Sequence, residues 1–497
     1  MSKSLRWFAL AVVVLAELLV TIDATVLGLA IPFLSEDLHP SNTQLLWIAD
    51  VYSFVMAGLL ISMGSVGDRF GRKRMLLIGA AGFGLISVLN AYATSPELLI
   101  LARALLGVAG AALLPATLAM VRTLFDDPAQ RSFAIGVWGA MASVGMAIGP
   151  LLGGVLLEHF WWGSVFLINL PVMVLVVPLA MKLLPESRNP NPARLDPGSV
   201  ALSMIGLVGV VYAIKEAAQF GARLDVLVAA VLGIGGLFWF VRRQLRLPNP
   251  LLDVRLFANR GFTGAVLADL FSILGLGGTV FFLSQYLQMV QGRSPLQAGL
   301  IELPVTVGAV ITGLLAGQLA RRSAVRVIVA GGLVLLGLAL GGMCLFVEDT
   351  SVLFIGIQLF VLGAGAGLAF TVTADIILSS VPTEQAGAAS AVSETAYELG
   401  GAFGIALLGS ALSGVYRGFP TPSGVPRQLA DSAHSSLGNA ITVVGQLPER
   451  TGYALLGAAR SAFLNGLQLA AGLGAILVLG TAVAAWFLLR RQRLHQS

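Results

Sequence analysis

The stretch Gly64-Ser-Val-Gly-Asp68-Arg69-Phe-Gly71-Arg72-Lys73-Arg74 separates two long apolar runs, at roughly residues 44–66 and 75–92. Its basic side chains cannot lie in hydrocarbon, because each charged side chain there costs about 2.5–3.5 kcal/mol. We therefore predict a short loop at a membrane surface, and its positive charge places it on the cytoplasmic side. The loop fixes the orientation of the segments before and after it.

Composition indicates a helical membrane protein. The 497 residues are 57% hydrophobic and 11% charged, whereas soluble proteins average about 25% charged residues. The apolar runs are long and continuous, which favours helices over the alternating segments of a β-barrel. The net charge of +5 reflects basic loops that orientation requires, so we expect no nucleic-acid partner. A single cysteine, Cys344, cannot form an internal disulfide, and no metal site is predicted.

Apolar spans of about 20 residues predict fourteen transmembrane helices in an all-α fold, arranged as six, two and six. The predicted domains are residues 1–184 (first half), 185–260 (two extra helices with cytoplasmic linkers) and 261–497 (second half). This count places most Lys and Arg residues, and both termini, on the cytoplasmic side. The external segment 416–451 is expected to be an irregular loop, with a small hairpin as the alternative.

Acidic residues in the predicted helices are the main candidates for chemistry. Eight acids stand against one base, Arg103; the acids are Glu17, Asp23, Asp50, Asp269, Glu302, Asp375, Glu394 and Glu398. Charged groups are costly in lipid, so these acids must be protonated, paired or in contact with a polar cavity. The excess negative charge predicts a cationic substrate. We expect Glu17 and Asp375 to lie near helix ends and to reach the membrane surface.

Glu394 and Glu398 lie four residues apart, so they share one helix face and repel each other when both are charged. One of them is expected to hold a proton until a cation or a conformational change displaces it. A structural role in interhelical hydrogen bonds is the alternative for each. Aromatic rings bind organic cations, and the candidates here are Trp47, Trp138 and Tyr397, together with Asp50 beside Trp47.

Two motifs resemble those of the major facilitator superfamily. Residues 64–74 resemble its G-x-x-x-D-R-x-G-R-[KR] loop, which acts there as a conformational latch between the second and third helices. The matching residues are Gly64, Asp68, Arg69, Gly71 and Arg72. The fifth helix resembles the G-x-x-x-G-P-x-x-G-G motif of antiporters, with glycines that offer a flat face for close helix contact. The matching residues are Gly145, Gly149, Pro150, Gly153 and Gly154.

Further motifs resemble the fourteen-helix drug:proton antiporter family, close to its QacA- and SmvA-like exporters. Asp23 lies in a segment similar to the first-helix motif L-D-x-T-x-V-x-x-A-x-P, whose Asp is a protonation site. Arg103 resembles the fourth-helix Arg linked to proton transfer, with a structural intrahelical salt bridge as the alternative. The resemblance implies proton coupling by Asp23, Arg103 and Glu398. It implies substrate binding by Asp50, Glu302 and Glu394, with the three aromatic candidates.

The resemblance implies a multidrug efflux transporter in a bacterial cytoplasmic membrane. It would export lipophilic mono- and divalent cations, such as quaternary ammonium antiseptics, ethidium and biguanides, in exchange for protons by alternating access. The proton gradient would supply the energy, so no cofactor is expected, and the protein would act as a monomer among membrane lipids. The nearest alternative is export of a neutral or anionic metabolite by the same fold. A cation channel and a membrane enzyme are further alternatives, and no nucleophile–base set in the sequence favours an enzyme.

Overall fold

The structure is a computed structural model that describes residues 3–190, 196–221, 223–248 and 250–490. Over these residues every regular element is a helix, and fourteen helices are long and apolar enough to cross a membrane. The predicted helix count and the arrangement as six, two and six are confirmed. The helices are α1 (Lys3–Leu38), α2 (Asn42–Phe70), α3 (Arg72–Ala91), α4 (Pro96–Leu124), α5 (Pro128–His159), α6 (Ser164–Leu183), α7 (Pro197–Phe220), α8 (Leu224–Arg246), α9 (Arg260–Gln285), α10 (Pro295–Arg322), α11 (Val325–Met343), α12 (Val352–Ser379), α13 (Ala386–Tyr416) and α14 (Glu449–Leu488).

Several helices begin at polar capping residues. Ser41 and Ser294 each form a capping box with the Gln three residues later, which satisfies backbone groups at the starts of α2 and α10. Asp127 caps α5 by a single bond, in which its side chain accepts from the backbone amide of Gln130. The α9 helix ends in a π-helical turn, Tyr286–Val290.

The segment between α13 and α14 is more regular than predicted. It contains two short helices, Arg427–Ser435 and Leu437–Val444. The Tyr416 hydroxyl donates to the Ala433 carbonyl at 2.9 Å, and the rings of Phe419 and His434 stack with centroids 4.2 Å apart. The expectation of an irregular loop is therefore wrong, because these contacts fix the segment against the end of α13.

Helix packing repeats with an offset of eight helices. In the first half α2 packs on α4, α1 on α5, and α3 on α4 and α6; in the second, α10 packs on α12, α9 on α13, and α11 on α12 and α14. The two halves meet where α2 packs on α13 and where α5 packs on α10, which is again a matched pair of contacts. This internal symmetry places the ends of α2, α5, α10 and α13 around a central axis.

The two extra helices form a hairpin beside this axis. Glycines at the crossing of α7 and α8 allow close approach, since a Cβ at Gly209 or Gly233 would overlap the facing backbone. At one end Arg243 donates to both carboxylate oxygens of Asp196, at 2.6 and 2.9 Å. These hydrogen bonds, with one from Ser199, hold the pKa of Asp196 well below its usual range. The α7 helix packs against both α2 and α13, so it covers the seam between the halves on one side.

Candidate functional site

A cavity of about 180 Å³ lies between the two halves. Its wall combines α1, α2, α4 and α5 of the first half with α9, α10, α12 and α13 of the second, and most of it is apolar. Three carboxyl groups interrupt this surface: Glu17 from α1, and Glu394 and Glu398 from α13. No basic side chain lies among the described residues that line the cavity. The cavity is thus an apolar chamber with acidic groups contributed by both halves.

Glu17 lies inside the bundle, and the expectation that it reaches the membrane surface is wrong. Its side chain is 4% exposed, and its Oε2 atom has no hydrogen-bond partner. The reason is that α1 begins at Lys3, so Glu17 lies about 21 Å along the helix. Glu394 is also buried, with its Oε1 atom unpartnered. Glu17 and Glu398 line the same cavity from opposite halves.

An aromatic wall completes the cavity. The indole of Trp138 stacks on the ring of Phe370 at 6.0 Å and 14°, and Phe370 meets the ring of Tyr397 edge-on at 6.1 Å. The Trp138 Nε1 atom donates to the hydroxyl of Thr117 at 3.1 Å, and that hydroxyl donates to the carbonyl of Leu114 at 2.7 Å. Flat aromatic faces beside carboxyl groups suit an organic cation, because both attract positive charge. The predicted residues Trp138, Tyr397, Glu394 and Glu398 therefore lie together.

Asp23 and Arg103 form a buried ion pair next to the cavity. Arg103 Nη1 lies 3.0 Å from Asp23 Oδ2, and Asn169 donates to Asp23 Oδ1 at 2.8 Å. The Arg103 guanidinium also lies 4.7 Å from the ring centroid of Tyr52. Tyr52 lines the cavity whereas Asp23 and Arg103 do not, so Tyr52 separates the ion pair from the chamber. This pair joins α1 to α4 and is not the intrahelical salt bridge considered from sequence.

In the structure the 64–74 loop is a tight turn at Gly71, because α2 continues to Phe70 and α3 begins at Arg72, so the longer loop expected from sequence is wrong. The turn and the helix ends beside it tie the first half to the second, and we call this end of the bundle the latch end. Asp68 accepts hydrogen bonds from the backbone amides of Gly387 at 2.9 Å and Ala388 at 3.0 Å, at the start of α13. A carboxylate is favoured there because free amides and the helix dipole both attract negative charge. Arg72 is fully buried, lies 2.7 Å from Asp68 and donates to the carbonyl of Thr383.

Glycines in the same loop permit this close contact. A Cβ at Gly64 would overlap the carbonyl oxygen of Gly387, and Gly71 adopts φ +112°, which other residues rarely adopt. The guanidinium of Arg69 lies 5.5 Å from the ring centroid of Phe70. The loop therefore brings together the latch residues selected from sequence, and Asp68 and Arg72 make its contacts with the second half.

A second tie closes the latch end. Arg131 on α5 lies 2.7 Å from Asp375 on α12, and Ser132 donates to the same carboxylate at 2.5 Å. The expectation that Asp375 reaches the surface is wrong, because it is fully buried between the halves. The count of one intramembrane base is also wrong. Arg131 and Lys215 reach inward from their helices to pair with Asp375 and Asp50.

Three predicted substrate residues lie outside the cavity wall. Asp50 pairs with Lys215 of α7 at 2.5 Å, and the ring of Trp47 stacks on that of Tyr212. Glu302 on α10 is half-buried near Ser284, with its Oε1 atom unpartnered. These three do not join Glu394 in one binding site in this structure.

The remaining acid and the antiporter motif have structural contacts. Asp269 is buried and accepts hydrogen bonds from Thr373 at 3.2 Å and Ser393 at 2.8 Å.

In the fifth helix the motif glycines pack on α1 around Asp23: Gly145 meets Thr21, Gly149 meets Thr25 and Gly153 meets Val26. Gly154 has open space around it, and Pro150 is exposed. The motif thus packs α5 closely on the helix that carries Asp23 and Glu17.

Sequence reasoning missed several residues of this region. Phe370 lies in an apolar run, and nothing in the sequence distinguishes it from its neighbours. Only the packing of the helices shows that it lines the cavity. Arg131 and Lys215 were not selected as intramembrane bases. Glu17 had a usable signal, because an acid in an apolar first helix is costly wherever it lies in hydrocarbon.

The fold and the cavity together define a class: an α-helical secondary transporter whose two six-helix halves enclose a central binding chamber. The comparisons identify the family. Residues 13–405 match the Major Facilitator Superfamily, and the chain belongs to that superfamily. It is therefore a multi-pass membrane transporter and not an enzyme.

Similar proteins cover almost the whole chain. The "Multidrug efflux pump LfrA" of Mycolicibacterium smegmatis is 46% identical over 486 residues, 98% of this chain and 96% of that protein. The "Methyl viologen resistance protein SmvA" of Salmonella typhimurium is 38% identical over 488 residues, 98% of this chain and 99% of that protein. The crystal structure of the human organic anion transporter MFSD10 (TETRAN) has a TM-score of 0.62 at 16% identity, covering 99% of this chain and all of that one. This last similarity concerns the fold alone.

Proposed function

We propose that this protein is a multidrug efflux pump that exports lipophilic mono- and divalent cations in exchange for protons. The observation that carries the proposal is the set of three carboxyl groups, Glu17, Glu394 and Glu398, in an otherwise apolar cavity without a lining base. The names of the similar proteins, a multidrug efflux pump and a methyl viologen resistance protein, support the same class of activity. Quaternary ammonium antiseptics, ethidium and biguanides all combine positive charge with apolar surface.

Competition for these carboxyl groups supplies the coupling. A carboxyl group in an apolar chamber must either hold its proton or, when it is charged, be paired with a cation. A cationic substrate entering the cavity favours the charged carboxylates, so protons leave when it binds. Protons arriving from the other side discharge the acids and release the substrate. In this proposal Asp23 and Arg103, which lie next to the cavity behind Tyr52, couple the exchange to the conformation of α1 and α4; their ion pair between these two helices supports this role.

The latch end supplies the conformational part of the proposal. Asp68 with α13, and Arg131 with Asp375, tie the halves together at that end. With the loop on the cytoplasmic side, as its charge predicts, this is the state closed toward the cytoplasm. Breaking both ties is required for the cavity to open toward the cytoplasm and load a substrate. We assign the protein to a bacterial cytoplasmic membrane with both termini inside.

The experiment uses purified protein in liposomes with an imposed pH gradient. We expect ethidium and a bisquaternary ammonium compound to move only when the gradient is present, with proton flux in the opposite direction. Glu394→Gln and Glu17→Gln should weaken this movement, while the control Glu158→Gln, at an exposed acid, should not. Absence of cation movement in folded protein would contradict the proposal.

The alternative of a neutral or anionic metabolite makes the opposite prediction. A carrier for such a substrate would keep its transport when Glu302, Glu394 and Glu398 are replaced by Gln, because none of these charges would contact the cargo. The same liposomes, tested with the three Gln variants, distinguish the two functions.

A further inference from the structure

Lys215 places its ammonium group among aromatic rings and beside a carboxylate. Its Nζ atom lies 2.5 Å from Asp50 Oδ1 and 5.2 Å from the ring centroid of Phe54. The ring of Tyr212 lies 6.0 Å from Phe54 and stacks on Trp47 at 6.5 Å and 27°. We call these four groups, Asp50, Trp47, Phe54 and Tyr212, the aromatic box. Aromatic faces with a nearby carboxylate are how proteins recognise quaternary ammonium ligands.

The aromatic box lies at the seam between the halves, away from the latch end. Asp50 is about 27 Å from Asp68 along α2. Phe54 packs with Val211 of α7 and Ala402 of α13 in a small apolar cluster that Leu399 extends. Lys215 is also close enough to Glu398 for their opposite charges to attract each other. The box therefore adjoins the acidic side of the central cavity.

The box is accessible, unlike the Asp23–Arg103 pair. Trp47 is 41% exposed, and the side chains of Lys215 and Asp50 are 28% and 25% exposed. Lys215 and Asp50 lie within three residues of the ends of their membrane spans, at Ala217 and Trp47, where water reaches and screens both charges, so this partly exposed ion pair is weak. A ligand with a delocalised positive charge and apolar surface can therefore compete with the ammonium of Lys215, which gives up little on returning to water.

We propose that the aromatic box is a second site for lipophilic organic cations, and that Lys215 is a tethered cation that occupies it until a substrate displaces it. The ligand class rests on the proposed function, whereas the geometry of the box does not. Without Lys215, the carboxylate and aromatic rings of the box would bind a cationic substrate tightly and slow its release. Lys215 lowers the affinity of the site, so a substrate that leaves the central acids passes through the box and is released.

The test is equilibrium binding of radiolabelled tetraphenylphosphonium to the full-length protein in lipid nanodiscs. Lys215→Met keeps the length of the side chain and removes the competing charge, so its box should fill at a lower cation concentration. At concentrations that leave the wild-type box empty, we expect one more bound cation per protein in Lys215→Met than in the wild type. Lys215→Arg keeps the charge and should bind no more than the wild type. Adding Asp50→Asn or Trp47→Leu to Lys215→Met should abolish the extra binding.

Two results would overturn the proposal: no extra cation in folded Lys215→Met, or extra binding that persists in Lys215→Met/Asp50→Asn. Failure of the proposed export function gives a different result from failure of the second-site proposal. If the wild type neither binds nor transports tetraphenylphosphonium, but Lys215→Met gains an Asp50-dependent site, the box is established without the export function.

A measurement on the wild type covers the case in which Lys215→Met does not fold. The chain has four lysines, Lys3, Lys73, Lys182 and Lys215, so the reductive methylation of each can be followed by mass spectrometry. Saturating tetraphenylphosphonium should increase the methylation rate of Lys215, because displacement releases its ammonium to solvent. Lys73 and Lys182 should not change. An unchanged rate at Lys215, with cation binding verified, would overturn the proposal.

Discussion

Asp23 on α1 and Arg103 on α4 form an ion pair 3.0 Å long whose side chains are 0% and 2% exposed. Two buried charges are tolerated because they neutralise each other and because Asn169 satisfies the other carboxylate oxygen. Removing one partner leaves an uncompensated buried charge, which typically costs about 3–5 kcal/mol. The pair thus has a structural role whatever its part in proton transfer, and experiments must separate the two.

Asp23→Asn should abolish coupled export of every substrate, because the amide cannot carry a proton. It should also lower the melting temperature, since Arg103 loses its counterion. Gradient-driven ethidium export in liposomes measures the first effect, and thermal unfolding of the purified protein measures the second.

The double variant Asp23→Asn/Arg103→Met separates the two roles. It removes both charges, so stability should return toward that of the wild type while coupled export remains absent. Recovery of coupled export in the double variant would show that Asp23 serves only to neutralise Arg103.

Much of the architecture could be predicted, because each transmembrane helix is determined by its own apolar run. The latch residues were selected from the resemblance of residues 64–74 to the superfamily motif, and the structure places Asp68 and Arg72 in contact with the second half. Glu394 and Glu398 could be selected because charges stand out in apolar segments. These features are local in the sequence.

The rest depends on how helices are arranged in space. Phe370 reaches the cavity only because α12 packs beside α5, and nothing in its own segment indicates this. Lys215 meets Asp50 because the extra helices pack against α2. Asp375 was misplaced because its partner, Arg131, is distant in the chain and reaches it only when the halves close.

Neutralising a cavity acid should affect divalent substrates most. A dication needs two carboxylates, and Glu17 and Glu394 each have an unpartnered oxygen in the cavity region. We expect Glu394→Gln, and likewise Glu17→Gln, to weaken binding of a bisquaternary compound by about tenfold or more, equivalent to about 1.4 kcal/mol. A monocation should be affected less, because it needs only one carboxylate and two of the three cavity acids remain. Competition binding with the two compounds measures the difference.

Equal loss for monocations and dications would contradict this assignment. Glu394 would then couple transport to protons and would not determine which substrate charge is bound. The exposed-acid variant Glu158→Gln is the matched control and should leave both affinities unchanged.

Asp68→Asn should loosen the latch end, because an amide is a weaker acceptor for the amides at the start of α13 and cannot pair with Arg72. Spin labels at Arg74→Cys and Glu384→Cys, in a Cys344→Ser background, report the distance between the halves at that end. Both positions are exposed, and each belongs to a different half. Asp68→Asn should broaden and lengthen the distance distribution.

Asp126→Asn, at an exposed acid near the same end, is the control and should leave the distribution unchanged. Gly64→Ala tests the same contact sterically, since a Cβ there overlaps the Gly387 carbonyl. A narrow, unchanged distribution in both Asp68→Asn and Gly64→Ala would mean that the loop does not hold the halves together.

Exchanging the charges of the Arg131–Asp375 pair should restore part of the thermal stability that either single substitution removes. Arg131→Asp places two carboxylates together between the halves, and Asp375→Arg places two guanidinium groups there, so each should lower the melting temperature strongly. In Arg131→Asp/Asp375→Arg the opposite charges face each other again. The rescue should be incomplete because Ser132 now faces a guanidinium and loses its carboxylate acceptor. A double variant whose destabilisation equals the sum of the two single ones would show that the two charges do not interact, and the second tie at the latch end would then rest on packing alone.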